Sequence, residues 1–188
     1  ITDIATALDR VGLEATAKYL QIFKISGDDF GMQTGPLYAP KTFRCLFLPR
    51  LRRRWVAARA YLDEVNPSVK ILFHSCGGIR PLIPDLIDIG LQILDPVQPW
   101  AAGMDSVELK QAFGERLAFH GGVDVQHVLP FGSEQEVEQE VQRCLQAFAP
   151  GGCYILAPAH YVQADVPPAN LAAMCRAVHT HGQYPIRS

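Results

Sequence analysis

The hydrophobic positions of the chain repeat one pattern, a short apolar stretch followed by a longer amphipathic one. Apolar stretches of strand length occupy residues 20–25, 69–73, 91–94, 117–119 and 153–156. After each of them, apolar residues recur every three or four positions, which is the period of a helix packed on one face. A further helix is predicted before the first strand, over residues 4–19, with Ile4, Leu8, Val11 and Ala15 on one face.

The starts of several predicted helices carry their own signals. Proline in the first helical turn and a Ser or Asp followed three residues later by Glu are both typical of helix N-termini. Such signals occur at Pro40, at Asp105 with Glu108, at Ser133 with Glu136, and at Pro167 with Pro168. The helix that begins at Pro40 is predicted to end near residue 66. The sequence thus predicts five strand-then-helix units.

Five short apolar strands separated by helices predict an α/β fold with a parallel sheet, because parallel strands need helical crossovers and bury both faces. This pattern leaves two arrangements open, an open doubly wound sheet and part of a closed (β/α) barrel. Polar residues follow every predicted strand: Asp28 and Asp29, His74 and Cys76, Asp95 and Gln98, His120 and Asp124, and His160. Barrel enzymes build their sites from the carboxyl ends of all strands, so this distribution favours the barrel. No glycine-rich nucleotide-binding motif supports the alternative.

Composition and charge narrow the function classes. Of 188 residues, 48% are hydrophobic and 19% are charged, with a net charge of −2, so no global field would attract nucleic acid or an anionic membrane surface. The arginine run at residues 50–54 is predicted to be an exposed helix face. No apolar run reaches membrane-spanning length, the N-terminus lacks the order of a signal peptide, and the five cysteines fit reduced thiols, so we expect a cytoplasmic protein.

Four motifs, in order along the chain, carry a resemblance to a known family. Residues 27–31 read Gly-Asp-Asp-Phe-Gly and precede Gln33 and a long helix, and residues 74–77 read His-Ser-Cys-Gly. Residues 121–124 read Gly-Gly-Val-Asp, and residues 157–160 read Ala-Pro-Ala-His, followed by two prolines and Asn170. Together these motifs resemble the uroporphyrinogen decarboxylase superfamily, which includes corrinoid-linked, zinc-dependent methyltransferases. The resemblance extends from about residue 20 to about residue 185.

The resemblance implies an eight-stranded barrel of the TIM type, of which this chain is similar to strands four to eight. A single-chain barrel needs roughly 250 residues, so residues 1–188 are expected to form one domain that is the C-terminal part of a longer barrel. Exposed sheet edges template aggregation. We therefore expect them to be covered by the missing N-terminal strands, by another polypeptide, or by oligomerisation. The chain starts at Ile1 rather than Met, which suggests a processed or truncated product.

The His-x-Cys pair suggests a metal site. Side chains two residues apart in an extended segment point to the same side, so His74 and Cys76 can reach one ion. Catalytic zinc takes three protein ligands of this kind and keeps one position open. The resemblance implies the third ligand at His160, where the zinc methyltransferases have a Cys and the decarboxylases also have a His.

Other residues complete the predicted site. Asp28, Asp29 and Asp124 are candidates for proton transfer or substrate anchoring, and Gln33 and Gln98 are candidates for substrate binding. A turn-capping role for the aspartates remains open. His120 and His127 are interpreted as structural.

Three functions remain open. The first is zinc-activated methyl transfer between a small methylated compound or thiol and a corrinoid carried on a partner protein. The second is metal-free decarboxylation of a porphyrinogen, for which the His-x-Cys pair would be incidental. The third is an inactive barrel fragment.

Overall fold

Five parallel strands form the main sheet of the computed structural model, which describes residues 1–186. The strands are β1 (Ile22–Gly27), β4 (Lys70–His74), β5 (Ile93–Val97), β6 (Ala118–Val123) and β7 (Tyr154–Pro158), and they lie side by side in that order. The short strands β2 (Gly31–Met32) and β3 (Gly35–Pro36) form a separate antiparallel hairpin. The α/β prediction is confirmed, and the described residues form an open part of a barrel-type sheet rather than a closed one. Residues 187 and 188 of the predicted domain lie outside the described part.

Helices alternate with the strands as predicted. They are α1 (Thr2–Thr16), α2 (Pro40–Thr42), α3 (Leu48–Val65), α4 (Ile83–Asp88), α5 (Ser106–Phe113), α6 (Val128–Phe131), α7 (Glu134–Phe148) and α8 (Pro168–His181). A π-helical turn, Phe43–Phe47, joins α2 to α3. The capping box at Ser133 is present in full, and the Asp105 side chain accepts a hydrogen bond from the backbone N–H of Glu108 at 2.9 Å.

The two faces of the sheet differ in chemistry. Under the helices lies a core that contains the largest buried side chains, among them Trp55, Phe73 and Phe119. Strand side chains alternate between faces, so the opposite, inner face carries Leu72 and Ile93 in its middle and polar side chains toward the carboxyl ends of the strands. The fold therefore gathers polar groups at one rim of an otherwise apolar surface.

Helix α1 departs from the sequence prediction. The predicted apolar face is exposed, with Ile4, Leu8 and Val11 at 67%, 67% and 65%, whereas Leu13 is buried. Asp9 of α1 pairs with Arg54 of α3, and one of the two hydrogen bonds measures 2.7 Å. In this pair the Arg54 side chain is only 15% exposed. The prediction that the arginine run is an exposed helix face is therefore wrong at this residue. Within residues 1–186, no helix has the length and apolar character needed to cross a bilayer.

Candidate metal centre

His74, Cys76 and His160 meet at the carboxyl rim of the sheet. His74 ends β4, Cys76 follows two residues later, and His160 comes two residues after β7. One ligand atom from each side chain lies within 4.8 Å of the other two. The rings of His74 and His160 are 5.7 Å apart, centroid to centroid, and meet edge to face at 76°. Three groups that are far apart in sequence are thus close enough to reach one ion.

Hydrogen bonds fix the loop that carries Cys76. Ser75 is fully buried; its N–H donates to the carbonyl oxygen of Asp95 at 2.7 Å, and its Oγ accepts from the N–H of Phe30 at 3.1 Å. The side-chain oxygen of Gln98 accepts from the N–H of Gly77 at 2.6 Å. Each of these contacts ties the loop after β4 to a neighbouring strand end, so the position of the thiol is set by backbone as well as side-chain contacts.

Two glycines allow the β2–β3 hairpin to approach this loop. A Cβ added at Gly31 would lie 2.5 Å from the carbonyl oxygen of Cys76, and one added at Gly77 would lie 2.6 Å from the carbonyl carbon of Gly31. Gly77 also has φ of +81°, which favours glycine. The glycines of the two sequence motifs are therefore packing partners that bring residues 28–30 against Cys76.

Asp29 lies beside two of the candidate ligands. Its Oδ1 is 3.3 Å from the sulfur of Cys76 and 3.5 Å from Nε2 of His74. Burial first, and then the hydrogen bond and negative charge of Asp29, raise the pKa of the Cys76 thiol to about 11. A cation bound by these groups would take the place of the thiol proton.

Asp28 is adjacent but less directly involved. Its N–H donates to the carbonyl oxygen of His74 at 3.0 Å, which continues the pairing of β1 with β4. Burial raises the pKa of its carboxyl group; Arg54 opposes the rise and Asp29 adds to it. Within the described residues, Asp28 does not line the cavity that opens beside His74 and His160.

Asp95 is the hub of the inner face. Its Oδ2 lies 2.9 Å from Nδ1 of His74 and 3.3 Å from Nζ of Lys24, and its Oδ1 lies 2.7 Å from Nδ1 of His120. Burial alone would raise the pKa of Asp95, but hydrogen bonds from His120 and His74 outweigh it and hold that pKa well below its usual range. An ionised carboxylate only accepts, so this contact assigns a proton to Nδ1 of His74 and makes Nε2, which lies beside Asp29, the nitrogen that could face a metal ion.

A cavity of about 220 Å³ opens above these groups. Its polar lining comes from Lys24, His74, Asp95, His120 and His160, and its remaining lining from Pro96, Ala157, Pro158 and Tyr161. A small molecule in this space would touch two of the three candidate ligands. The site therefore combines a candidate metal-binding triangle with a cavity large enough for a small molecule.

The structure places the other predicted site residues elsewhere. Asp124 is buried, and its carboxylate accepts from the N–H groups of Gln126 at 2.7 Å and Val128 at 3.4 Å. Gln98 supports the Cys76 loop through Gly77. Gln33 lies exposed in the β2–β3 turn, where its carbonyl oxygen accepts from the N–H of Ala102 at 2.8 Å. In the described part of the chain, none of these three residues lines the cavity.

Sequence reasoning assigned no role to Lys24 or Asp95 and interpreted His120 as structural. All three were visible as charged or titratable residues inside or at the end of apolar strands. The informative signal was the face of the sheet to which each residue's position in its strand assigns it. Lys24, Asp95 and His120 occupy positions on their strands that face the same side as His74, as the register of neighbouring strands shows.

Comparisons with known proteins identify related sequences and a related fold. The family model described as uroporphyrinogen decarboxylase (URO-D) matches residues 1–181. A uroporphyrinogen decarboxylase from Sodalis glossinidius is 32% identical over 79 residues, which cover 42% of this chain and 22% of that protein. One from Pseudoalteromonas atlantica is 29% identical over 82 residues, which cover 44% of this chain and 22% of that protein.

A solved structure, a methyltransferase from Methanosarcina mazei, superposes on 97% of this chain with a TM-score of 0.71 and 20% sequence identity. The superposition covers 48% of the methyltransferase, so the chain spans about half the length of that protein. At this level of identity the likeness establishes the fold.

Proposed function

This chain belongs to the uroporphyrinogen decarboxylase family, and we propose that it carries the active site of a zinc-dependent methyltransferase. His74, Cys76 and His160 would hold the zinc, and a methyl group would pass between a small methylated compound or thiol and a corrinoid carried on a partner protein. The observation that carries this proposal is the convergence of the three ligand atoms within 4.8 Å of one another.

The donor set suits a catalytic zinc. Two imidazole nitrogens and one thiolate are ligands that zinc prefers, and three protein ligands leave one position for substrate. His74 is oriented by a carboxylate at its other nitrogen, an arrangement common to zinc-binding histidines. When bound, zinc would supply Lewis acidity toward a thiol or an ether oxygen.

Asp29 is the carboxylate best placed to assist. Its contact with the sulfur of Cys76 allows it to take the thiol proton when the ligand set forms. Of the other two aspartates, Asp28 would act from the same loop at greater distance, and Asp124 would act through the loop that it caps. Gln98 would contribute by positioning Cys76, and Gln33 would contribute if substrate extends over the β2–β3 hairpin.

A complete enzyme requires more than the described sheet. Strands β1 and β7 are its edges, each paired on one side within the described residues. We propose that the remaining barrel strands, supplied by the rest of a longer protein or by another polypeptide, cover these edges. Five cysteines that are all free fit the reducing cytoplasm as the place of action.

Decarboxylation of a porphyrinogen is the second candidate function. It is favoured by the curated relatives, which are uroporphyrinogen decarboxylases. In that reaction the imidazoles and Asp95 would bind the pyrrole groups without a metal, and Cys76 would play no part.

Zinc analysis of the purified full chain separates these functions. We expect stoichiometric zinc after dialysis, and its loss in His74→Ala and in Cys76→Ser. His127→Ala is the matched control, because its side chain is 74% exposed and lies outside the triad. A chain without zinc, or variants that retain it, would contradict the proposal, and carbon dioxide release from uroporphyrinogen would then favour the second function.

A further inference from the structure

We propose that His120 accepts a proton from the substrate at its Nε2 atom, and that the substrate is a small thiol held in the 220 Å³ cavity. This inference rests on the methyl-transfer function proposed above, because a thiol must lose its proton before its sulfur can accept a methyl group. Sequence reasoning interpreted His120 as a structural histidine, whereas its contacts in the structure indicate a role in the cavity.

The position of His120 is the first observation. It lies within β6 and pairs in register with Ile155 of β7, so that its side chain lies on the inner face between the strands that carry Asp95 and His160. Its side chain is 29% exposed and lines the cavity together with His74 and His160. A ligand that reaches the candidate metal ligands therefore also reaches His120.

The contact of His120 with Asp95 is the second observation. Its Nδ1 lies 2.7 Å from Oδ1 of Asp95, and an ionised carboxylate can only accept, so Nδ1 carries the proton. Nε2 then holds a lone pair. Within residues 1–186, Nε2 of His120 has no protein hydrogen-bond partner. The nitrogen that can act as a base is thus the one left free.

Apart from the exposed Tyr161, the other polar residues of the cavity lining have a partner or a proposed ligand role. His74 and His160 belong to the metal-binding triangle, and Asp95 accepts from two imidazoles and from Lys24. The Lys24 ammonium has no lone pair while it is charged. With His74 and His160 assigned to the metal, His120 is the imidazole of the cavity lining whose Nε2 is left to act as a base.

The proposed step transfers one proton from the substrate thiol to His120. The S–H bond of the thiol breaks, the proton forms a bond with Nε2 of His120, and the electron pair stays on the sulfur. The resulting imidazolium keeps its hydrogen bond to the Asp95 carboxylate, so the positive charge forms beside a negative one. Lys24 lies on the far oxygen of the same carboxylate.

The tautomer can be measured without metal or substrate. Long-range ¹H–¹⁵N spectra of the full chain, assigned by comparison with His120→Gln, should show Nδ1 protonated and Nε2 unprotonated for His120. A neutral ring with the proton on Nε2 would overturn the inference whether or not the chain binds zinc.

Proton release provides the second test. Calorimetric titration of the zinc-loaded chain with 2-mercaptoethanol, in buffers of different ionisation enthalpy, counts the protons that leave the complex. His120→Asn keeps a donor to Asp95 in place of Nδ1 and removes Nε2, so we expect it to release about one more proton per bound thiol than the wild type. His127→Asn should match the wild type, and 2-(methylthio)ethanol, which has no S–H group, should release none with either protein.

Equal proton release from the wild type and His120→Asn would overturn the inference while leaving the zinc site intact. Failure to bind zinc would instead contradict the proposed function, and the tautomer measurement would still decide the role of His120.

Discussion

Two buried aspartates at the carboxyl ends of neighbouring strands differ in what occupies their oxygens. Asp95 ends the apolar part of β5 and is 8% exposed, whereas Asp124 follows β6 and is 2% exposed. Asp95 binds side chains from three other strands, namely Lys24, His74 and His120. Asp124 accepts from two backbone N–H groups of its own loop, and its one imidazole partner is His127, whose Nδ1 lies 3.2 Å away and whose side chain is 74% exposed.

Their partners distinguish a functional from a structural polar residue at the carboxyl rim of the sheet. An imidazole held at Nδ1 by a carboxylate still presents Nε2, so each hydrogen bond to Asp95 orients a group for further chemistry. The backbone N–H groups held by Asp124 present no further nitrogen, and its imidazole partner, His127, lies outside the cavity lining in the described part of the chain. The cluster around Asp124 extends to Glu140 of α7. The Glu140 carboxylate accepts from the N–H of Asp124 at 3.2 Å and pairs with Arg143 at 2.7 and 2.8 Å.

The first variant tests whether the cluster around Asp124 contributes to stability without affecting the zinc site beside Asp95. Glu140→Gln removes the charge partner of Arg143, and breaking a buried ion pair costs about 3–5 kcal/mol. Because the Arg143 side chain is 39% exposed, we expect the free energy of unfolding to fall by about 2–3 kcal/mol. Urea unfolding measures the loss, and zinc stoichiometry should stay unchanged. Glu138→Gln on the same helix, whose side chain is 48% exposed, should change stability by less than about 0.5 kcal/mol. Loss of zinc in Glu140→Gln would show that the clusters are coupled.

The second pair of variants tests whether Asp95 and Asp124 differ in their effect on the Kd for zinc. Asp95→Asn removes the charge that orients His74, so we expect the Kd for zinc to rise about 10- to 100-fold, as for other outer-shell carboxylates. Asp124→Asn makes the same chemical change one strand away and should leave the zinc Kd unaltered. Competition with a chromophoric chelator measures both values. Equal Kd values for the two variants would remove the distinction drawn between the two aspartates.

The period of the hydrophobic pattern predicted the α/β class and the order of the elements, whereas the barrel arrangement was predicted from the polar strand ends and the family resemblance. Strands in a parallel sheet are apolar on both faces and short, so all five were visible, and the capping box at Ser133 marked the start of α7. The exposed face of α1 was not predictable from its own pattern. Ile4 and Leu8 repeat at helical spacing, but which elements cover a helix depends on the whole assembly, and this one leaves them exposed.

The candidate ligands could also be predicted, because strand-end position and the family resemblance both pointed to His74, Cys76 and His160. Asp95 and His120 were missed for a physical reason. Their importance lies in a hydrogen bond between side chains on adjacent strands, and the register that brings them together is a tertiary property. The two-residue strands β2 and β3 were missed because a hairpin this short has no detectable period.

The third variant tests whether the β2–β3 hairpin holds Asp29 beside Cys76 and His74. Gly31→Ala would place a methyl group 2.5 Å from the carbonyl oxygen of Cys76, so the hairpin or the loop must shift. Overpacking of this kind costs about 1–2 kcal/mol of unfolding free energy. Because the shift moves Cys76 and Asp29 apart or displaces both, the zinc Kd should also rise severalfold.

Gly12→Ala provides the opposite case. A Cβ at Gly12 would meet nothing within 4 Å, and the residue lies inside α1, so alanine should stabilise the chain by about 0.5–1 kcal/mol and leave the zinc Kd unchanged. Urea unfolding and chelator competition on the two variants compare the same substitution in the two settings. If Gly31→Ala lowers stability while zinc binds as in the wild type, then the hairpin contributes to packing alone. The metal triangle would then depend on β4, β5 and β7 without help from Asp29.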